Sequence, residues 1–194
     1  MHSTDLWTNA WTAALPAWQA AVRLSGWHPV LAATAHAAVA LMCLAAGRSA
    51  RAGGRPNPTW PIAAGAMLLL AVNTLFALDL LGIEVLRGVA RASGWYAARR
   101  EVQVVALVAT GMVAVAIWTH TRHRRASTTP GTPWLVAGLA VLAGLATLRL
   151  VSLHATDELI NTRLAGLSLG RLVDALGLGL MAASAWRELQ AAGH

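Results

Sequence analysis

The chain repeatedly runs apolar for the ~20 residues that an α-helix needs to cross the hydrocarbon core of a bilayer. Five such runs are legible: about Pro29 to Gly47, Pro61 to Ile83, Val102 to Thr119, Pro133 to Leu153 and Leu164 to Trp186. In lipid a backbone has no water to bond to, and a segment of this length satisfies its own N–H and C=O groups as a helix. The expectation is an all-α, polytopic membrane helical bundle of five transmembrane helices. Composition agrees, because 57% of residues are apolar, 12% are charged and the mean hydropathy is positive. A soluble core of this size does not absorb that much apolar surface.

The fifth run carries Arg171 and Asp174 in its middle. Each costs ~2.5 to 3.5 kcal/mol at a bilayer centre, while its Leu, Val and Met residues return only ~3 to 5 kcal/mol together. It spans if the two charges form an intramembrane ion pair with each other or with a neighbour; otherwise it is interfacial and the bundle has four spans.

Residues 1–28 form an amphipathic, Trp-rich N-terminal segment ahead of the bundle, which occupies 29–194. Trp7, Trp11, Leu15, Trp18 and Val22 recur at helical spacing, interrupted by Pro16, as in a segment lying in the headgroup layer. It lacks the basic start and following apolar stretch of a signal peptide. A second surface element is expected at 84–93, where Val85, Leu86 and Val89 share an apolar stripe with Tyr96 beyond, and Arg87 and Arg91 share a basic one. Ser93-Gly94 ends it.

Orientation follows from arginines, the chain's only strong cations: fifteen basic residues, none of them lysine. With the N terminus periplasmic, Arg48, Arg51, Arg55, Arg122, Arg124, Arg125 and Arg187 lie inside. Arg23, Arg87, Arg91, Arg99, Arg100 and Arg163 lie outside, and setting aside the four around the interfacial helix makes the bias clear. The arginine, alanine, leucine and glycine bias indicates a GC-rich bacterial genome, hence a bacterial inner membrane. The formal charge of +7 does not indicate nucleic acid, because the arginines sit singly or in short clusters between apolar runs.

On this topology two polar clusters share the periplasmic side. Tyr96, Arg100 and Gln103, with Arg99 beside them, enter the third span; Arg149, Ser152 and Thr156 leave the fourth on one face, with His154 three or four residues from Asp157 and Glu158. Asp79 at the outer end of span two joins them. Arginines beside an aromatic at the boundary suit an anionic headgroup, which guanidinium binds as a fork; the alternative is plain anchoring of span three. His154 with Asp157 offers a base and its orienting carboxylate, but Ser152 is two residues away and faces elsewhere, and no Gly-x-Ser-x-Gly turn accompanies it. The two clusters are expected to converge on one site.

No metal site and no cofactor are expected. One cysteine, Cys43, leaves neither a disulfide nor a cysteine-based zinc site and reads as a small core residue. The seven histidines offer no pair at matching depth for haem, and His36, among alanines, reads as a packing residue with one hydrogen bond to a neighbouring helix. Gly166-x-x-x-Gly170, Ala140-x-x-x-Gly144 and Ala33-x-x-x-Ala37 offer close helix approach.

The stretches Gly94-Trp95-Tyr96-x-x-Arg99-Arg100-x-x-Gln103 and Arg149-x-x-Ser152-x-His154-x-x-Asp157 resemble a loose group of small, uncharacterised bacterial inner-membrane proteins, with Leu78-Asp79-Leu80 as a weaker third match. The resemblance covers under half the chain. Asp174 stands where the group suggests glutamate, and Leu75-Phe76-Ala77 stands where a polar run with lysine is expected. It implies membrane location and the same residues to test. The functional expectation is a binding or assembly protein whose periplasmic polar site, built from Tyr96, Arg99, Arg100, Gln103, Arg149, Ser152 and Asp79, engages membrane lipids, a partner membrane protein or a second copy. The rivals are a small membrane enzyme using His154 with Asp157, and a proton or solute carrier through Asp79, Arg149 and Asp174.

Overall fold

The computed structural model describes residues 3–94, 101, 104, 105, 108, 109, 111, 112, 115, 119, 131–151, 160–164 and 166–191. Its described elements are helices α1 (Ser3–Leu24), α2 (His28–Ala52), α3 (Thr59–Phe76), α4 (Leu78–Ala92), α5 (Thr132–Val151) and α6 (Leu169–Ala191), with a two-stranded hairpin of β1 (Arg163–Leu164) and β2 (Leu167–Ser168) before α6. The fold is all-helical apart from that hairpin. Three helices, α2, α3 and the Thr132–Arg149 part of α5, are long and apolar enough to cross a membrane. This is a membrane protein with a helical bundle.

Among the described residues, α2, α3, α5 and α6 pack as a bundle. Gly26, at φ +63°, turns the chain between α1 and α2, and Pro29 sits in the first turn of α2, where its missing N–H removes no helical bond. Gly53 and Gly54, then Pro56 and Pro58, stop α2. The Asn57 side-chain carbonyl accepts the Thr59 N–H at 3.0 Å and starts α3. α2 and α3 are antiparallel and touch most tightly where Gly47 meets Trp60, since a Cβ on Gly47 would stand 2.8 Å from Cβ of Trp60. α5 and α6 form a second antiparallel pair, and α6 packs against α2. The shared core holds Ala40, Cys43, Ala46 and Ala50 of α2, Trp60 and Met67 of α3, Leu135 and Leu142 of α5, and Met181 and Ala185 of α6.

The α5–α6 contact corrects the small-residue expectation. Gly166 is in the hairpin turn at φ +84°, not in a helix, and nothing lies within 4 Å of a Cβ placed on Gly144. The close approach belongs to Gly138 and Gly177. A Cβ on Gly138 would lie 2.9 Å from the Gly177 carbonyl, and one on Gly177 would lie 2.6 Å from Cγ of Leu142. Lipid supplies no hydrophobic drive between helices, so such backbone-to-backbone packing is what holds them.

The second expected span does not continue to Ile83. It ends at Phe76, because Ala77 takes the left-handed conformation (φ 47°, ψ 47°) and returns its N–H to the Asn73 carbonyl. Two side chains fix the break: the Asn73 amide oxygen accepts the Asp79 N–H at 2.8 Å, and the Trp18 indole N–H donates to the orphan Phe76 carbonyl at 2.7 Å. The surface helix expected at 84–93 therefore starts earlier, at Leu78.

α1 and α4 pack on each other as an antiparallel pair, Ala10 against Gly88 and Trp18 against Phe76. Leu81, Val85 and Val89 meet Ala10 and Ala14, with Leu6, Leu15 and Trp18 at the margin. The face that α1 buries is thus its alanine face. Trp7 and Trp11, grouped with Trp18 by spacing, are 52% and 49% exposed, and Pro16 does not interrupt the helix.

Candidate functional site

Among the described residues, polar side chains collect at the two ends of the bundle, with the apolar core of α2, α3, α5 and α6 between them. At one end, His36 of α2 is 1% exposed. Its Nδ1 lies 2.7 Å from the Ala32 carbonyl one turn back, and its Nε2 lies 3.4 Å from Oδ1 of Asp174 on α6. The neighbouring-helix contact expected for His36 is present. Arg149, in the last turn of α5, is near enough to act on the charge of His36, and its Nη2 lies 3.7 Å from the position of a Cβ on Gly170. A cation there also faces the negative end of the α5 dipole.

The expected pairing of Arg171 with Asp174 is not the geometry observed. α6 starts at Leu169, so Arg171 lies in its first turn with an exposed side chain, while Asp174 faces inward to His36. Neither charge is at the middle of α6, which is not among the three described helices long and apolar enough to cross a membrane. Asp79 is set apart from this group. It occupies the first turn of α4, where its carboxylate accepts the Leu80 N–H at 2.9 Å and complements the helix dipole. Tyr96, Arg99, Arg100, Gln103, Ser152, His154 and Asp157 lie outside the described residues. Arg149 and Asp174 are thus the expected site residues that come together, through His36.

The opposite end holds a cluster that spacing did not single out. Glu188 of α6 is 0% exposed, both its carboxylate oxygens lack a hydrogen-bond partner, and Nη2 of Arg55, whose side chain is 42% exposed, stands 3.8 Å from Oε1. The Trp60 indole N–H is also buried without a partner. Around them the Asn57 amide donates to Thr132 Oγ1 at 3.0 Å, and the Ser184 hydroxyl donates to the Gly131 carbonyl. The α2–α3 connection is thereby tied to the start of α5. One sequence signal could have found Glu188: Gly177, Met181, Ser184 and Glu188 recur at three- and four-residue intervals and continue the buried face of α6.

Among the described residues no three His, Cys, Asp or Glu side chains gather as metal ligands. What the His36 end offers is a guanidinium with no carboxylate in salt-bridge range among the described residues, beside a carboxylate already engaged by histidine. Comparison with models of protein families, with curated proteins and with solved structures finds no match to this chain.

Proposed function

We propose that this is a five-span protein of a bacterial inner membrane that binds the phosphate of an anionic lipid headgroup at the periplasmic ends of α2, α5 and α6, with Arg149 as its anchor. The observation that carries this reading is the engagement of Asp174 by His36, which leaves the Arg149 fork without a carboxylate among the described residues and open to an external anion. Arg99, Arg100 and Tyr96 are the further residues that would meet the same headgroup. Among the described residues the core between the two polar ends is apolar, which favours a binding protein over a carrier with a continuous polar track.

Two features support the topology. α3 ends at the His36 end and α5 starts at the Trp60 end, so the chain between them must return the full length of the bundle, and α4, at ~22 Å, is too short to do so. α6, at ~34 Å, is long enough to span once its charges lie near one end. Arg48, Arg51, Arg55 and Arg187 gather at the Trp60 end, which is then cytoplasmic.

The test is lipid retention by the purified full chain. Phosphatidylglycerol should remain bound in native mass spectrometry and raise the unfolding temperature, phosphatidylcholine should do neither, and Arg149→Gln should abolish the difference. Equal stabilisation by both lipids, or an undiminished effect in Arg149→Gln, refutes the site. Retention of a protein instead of a lipid would assign the anion to a partner's acidic side chain.

A further inference from the structure

The Ala32 carbonyl has lone pairs and no proton, so its 2.7 Å contact with Nδ1 of His36 requires the ring proton to sit on Nδ1. A neutral imidazole carries one ring proton. With that proton committed, Nε2 presents a lone pair, and what it meets at 3.4 Å is Oδ1 of Asp174, an acceptor when ionised. Two acceptors opposed at a site where His36 is 1% exposed repel each other without water to separate them. The contact becomes attractive when one further proton occupies it, as imidazolium against carboxylate or as neutral imidazole accepting from a carboxylic acid.

We propose that His36 and Asp174 form a proton-binding site in the periplasmic half of the bundle, whose occupancy holds α2 against α6. The proton comes from external water by way of Asp174, whose side chain keeps 21% of its exposure, and returns there when the site empties. Among the described residues the charged group near the pair is Arg149 from α5, while Arg171, in the first turn of α6, has an exposed side chain. α3, the other neighbour of α2, contributes no ionisable side chain between Thr59 and Phe76, and Cys43 lies two turns further along α2.

Loss of the proton has a defined consequence. The carboxylate then repels Nε2 and is drawn to the Arg149 guanidinium, so the proton and an anion bound at Arg149 favour each other. This coupling rests on the headgroup reading; the proton site does not.

The experiment uses the full chain in nanodiscs of phosphatidylcholine alone, with 15N-labelled histidine and infrared detection of carboxylic acids. At neutral pH the expected result is a His36 signal with both ring nitrogens protonated, or a carboxylic acid band that Asp174→Asn removes. Alkaline titration should release that proton. Asp174→Asn supplies an amide N–H to Nε2, so its His36 should read as the neutral Nδ1–H tautomer from neutral to alkaline pH, without the alkaline titration of the wild type. A wild-type His36 that is neutral, together with no carboxylic acid band sensitive to Asp174→Asn, overturns the proposal. Adding phosphatidylglycerol separates the two ideas: failure of the lipid to shift the titration removes the coupling and the headgroup site while leaving the proton site standing.

Discussion

Replacing Gly138 by alanine puts a methyl group where α5 and α6 leave no room for one. Its Cβ would meet the Gly177 carbonyl at 2.9 Å and the Met181 backbone nitrogen at 3.2 Å, backbone atoms that cannot rotate away. Overpacking of this kind costs ~1 to 3 kcal/mol, and the better helix propensity of alanine returns up to ~1 kcal/mol. The net loss is up to ~3 kcal/mol, or up to ~12 °C in unfolding temperature for a chain of this length. Gly144→Ala is the matched control on the same helix, with nothing within 4 Å of its Cβ, and it should be neutral or gain up to ~1 kcal/mol. Thermal unfolding of both variants in the same nanodisc decides the matter. The Ala140-x-x-x-Gly144 spacing alone predicts the reverse ranking, so a Gly144→Ala that unfolds below Gly138→Ala would refute the packing described here.

At the Trp60 end of the bundle, Arg55→Gln should cost ~1 to 3 kcal/mol by leaving the buried Glu188 carboxylate without its half-exposed partner, and Glu188→Gln in the same chain should restore stability. Chemical denaturation of the single and double variants measures both. Ala77→Gly should stabilise by ~1 kcal/mol, because an L residue in the left-handed region is strained by ~1 to 2 kcal/mol and glycine is not; destabilisation would mean that α3 runs on through this position. Arg171→Leu should lie within ~0.5 kcal/mol of wild type in unfolding assays. His36→Leu should cost less than Arg55→Gln in the same assay, because Asp174 keeps 21% of its exposure and Arg149 stands near.

Membrane residence and helical class were legible in the sequence because both depend on local quantities, the length of an apolar run and the backbone's need to bond to itself in lipid. The same holds for His36 as a residue with a neighbouring-helix contact, whereas α1 buries Ala10 and Ala14 and not the Trp7 and Trp11 that spacing groups together. Where a helix stops was less legible. Hydropathy carries Pro61 to Ile83 as one run, yet the indole of Trp18, fifty-eight residues before Phe76, caps the break, and no window on the local sequence contains that bond.

The candidate site divides in the same way. The sequence by itself placed Arg149 and Asp79 near the ends of apolar runs, but it put Arg171 and Asp174 in the middle of the fifth, and the start of α6 at Leu169 moves both toward one end. Only the tertiary structure decided their partners, because pairing depends on the rotation of α6 against α2 and α5. That rotation is set by Gly138 meeting Gly177 and by Met181 and Ala185 filling the space beside Cys43 and Trp60. It turns Asp174 toward His36 rather than to Arg171 three residues away, and it carries Glu188 into the interior, where the Arg55 guanidinium meets it from a loop that the sequence places 133 residues earlier.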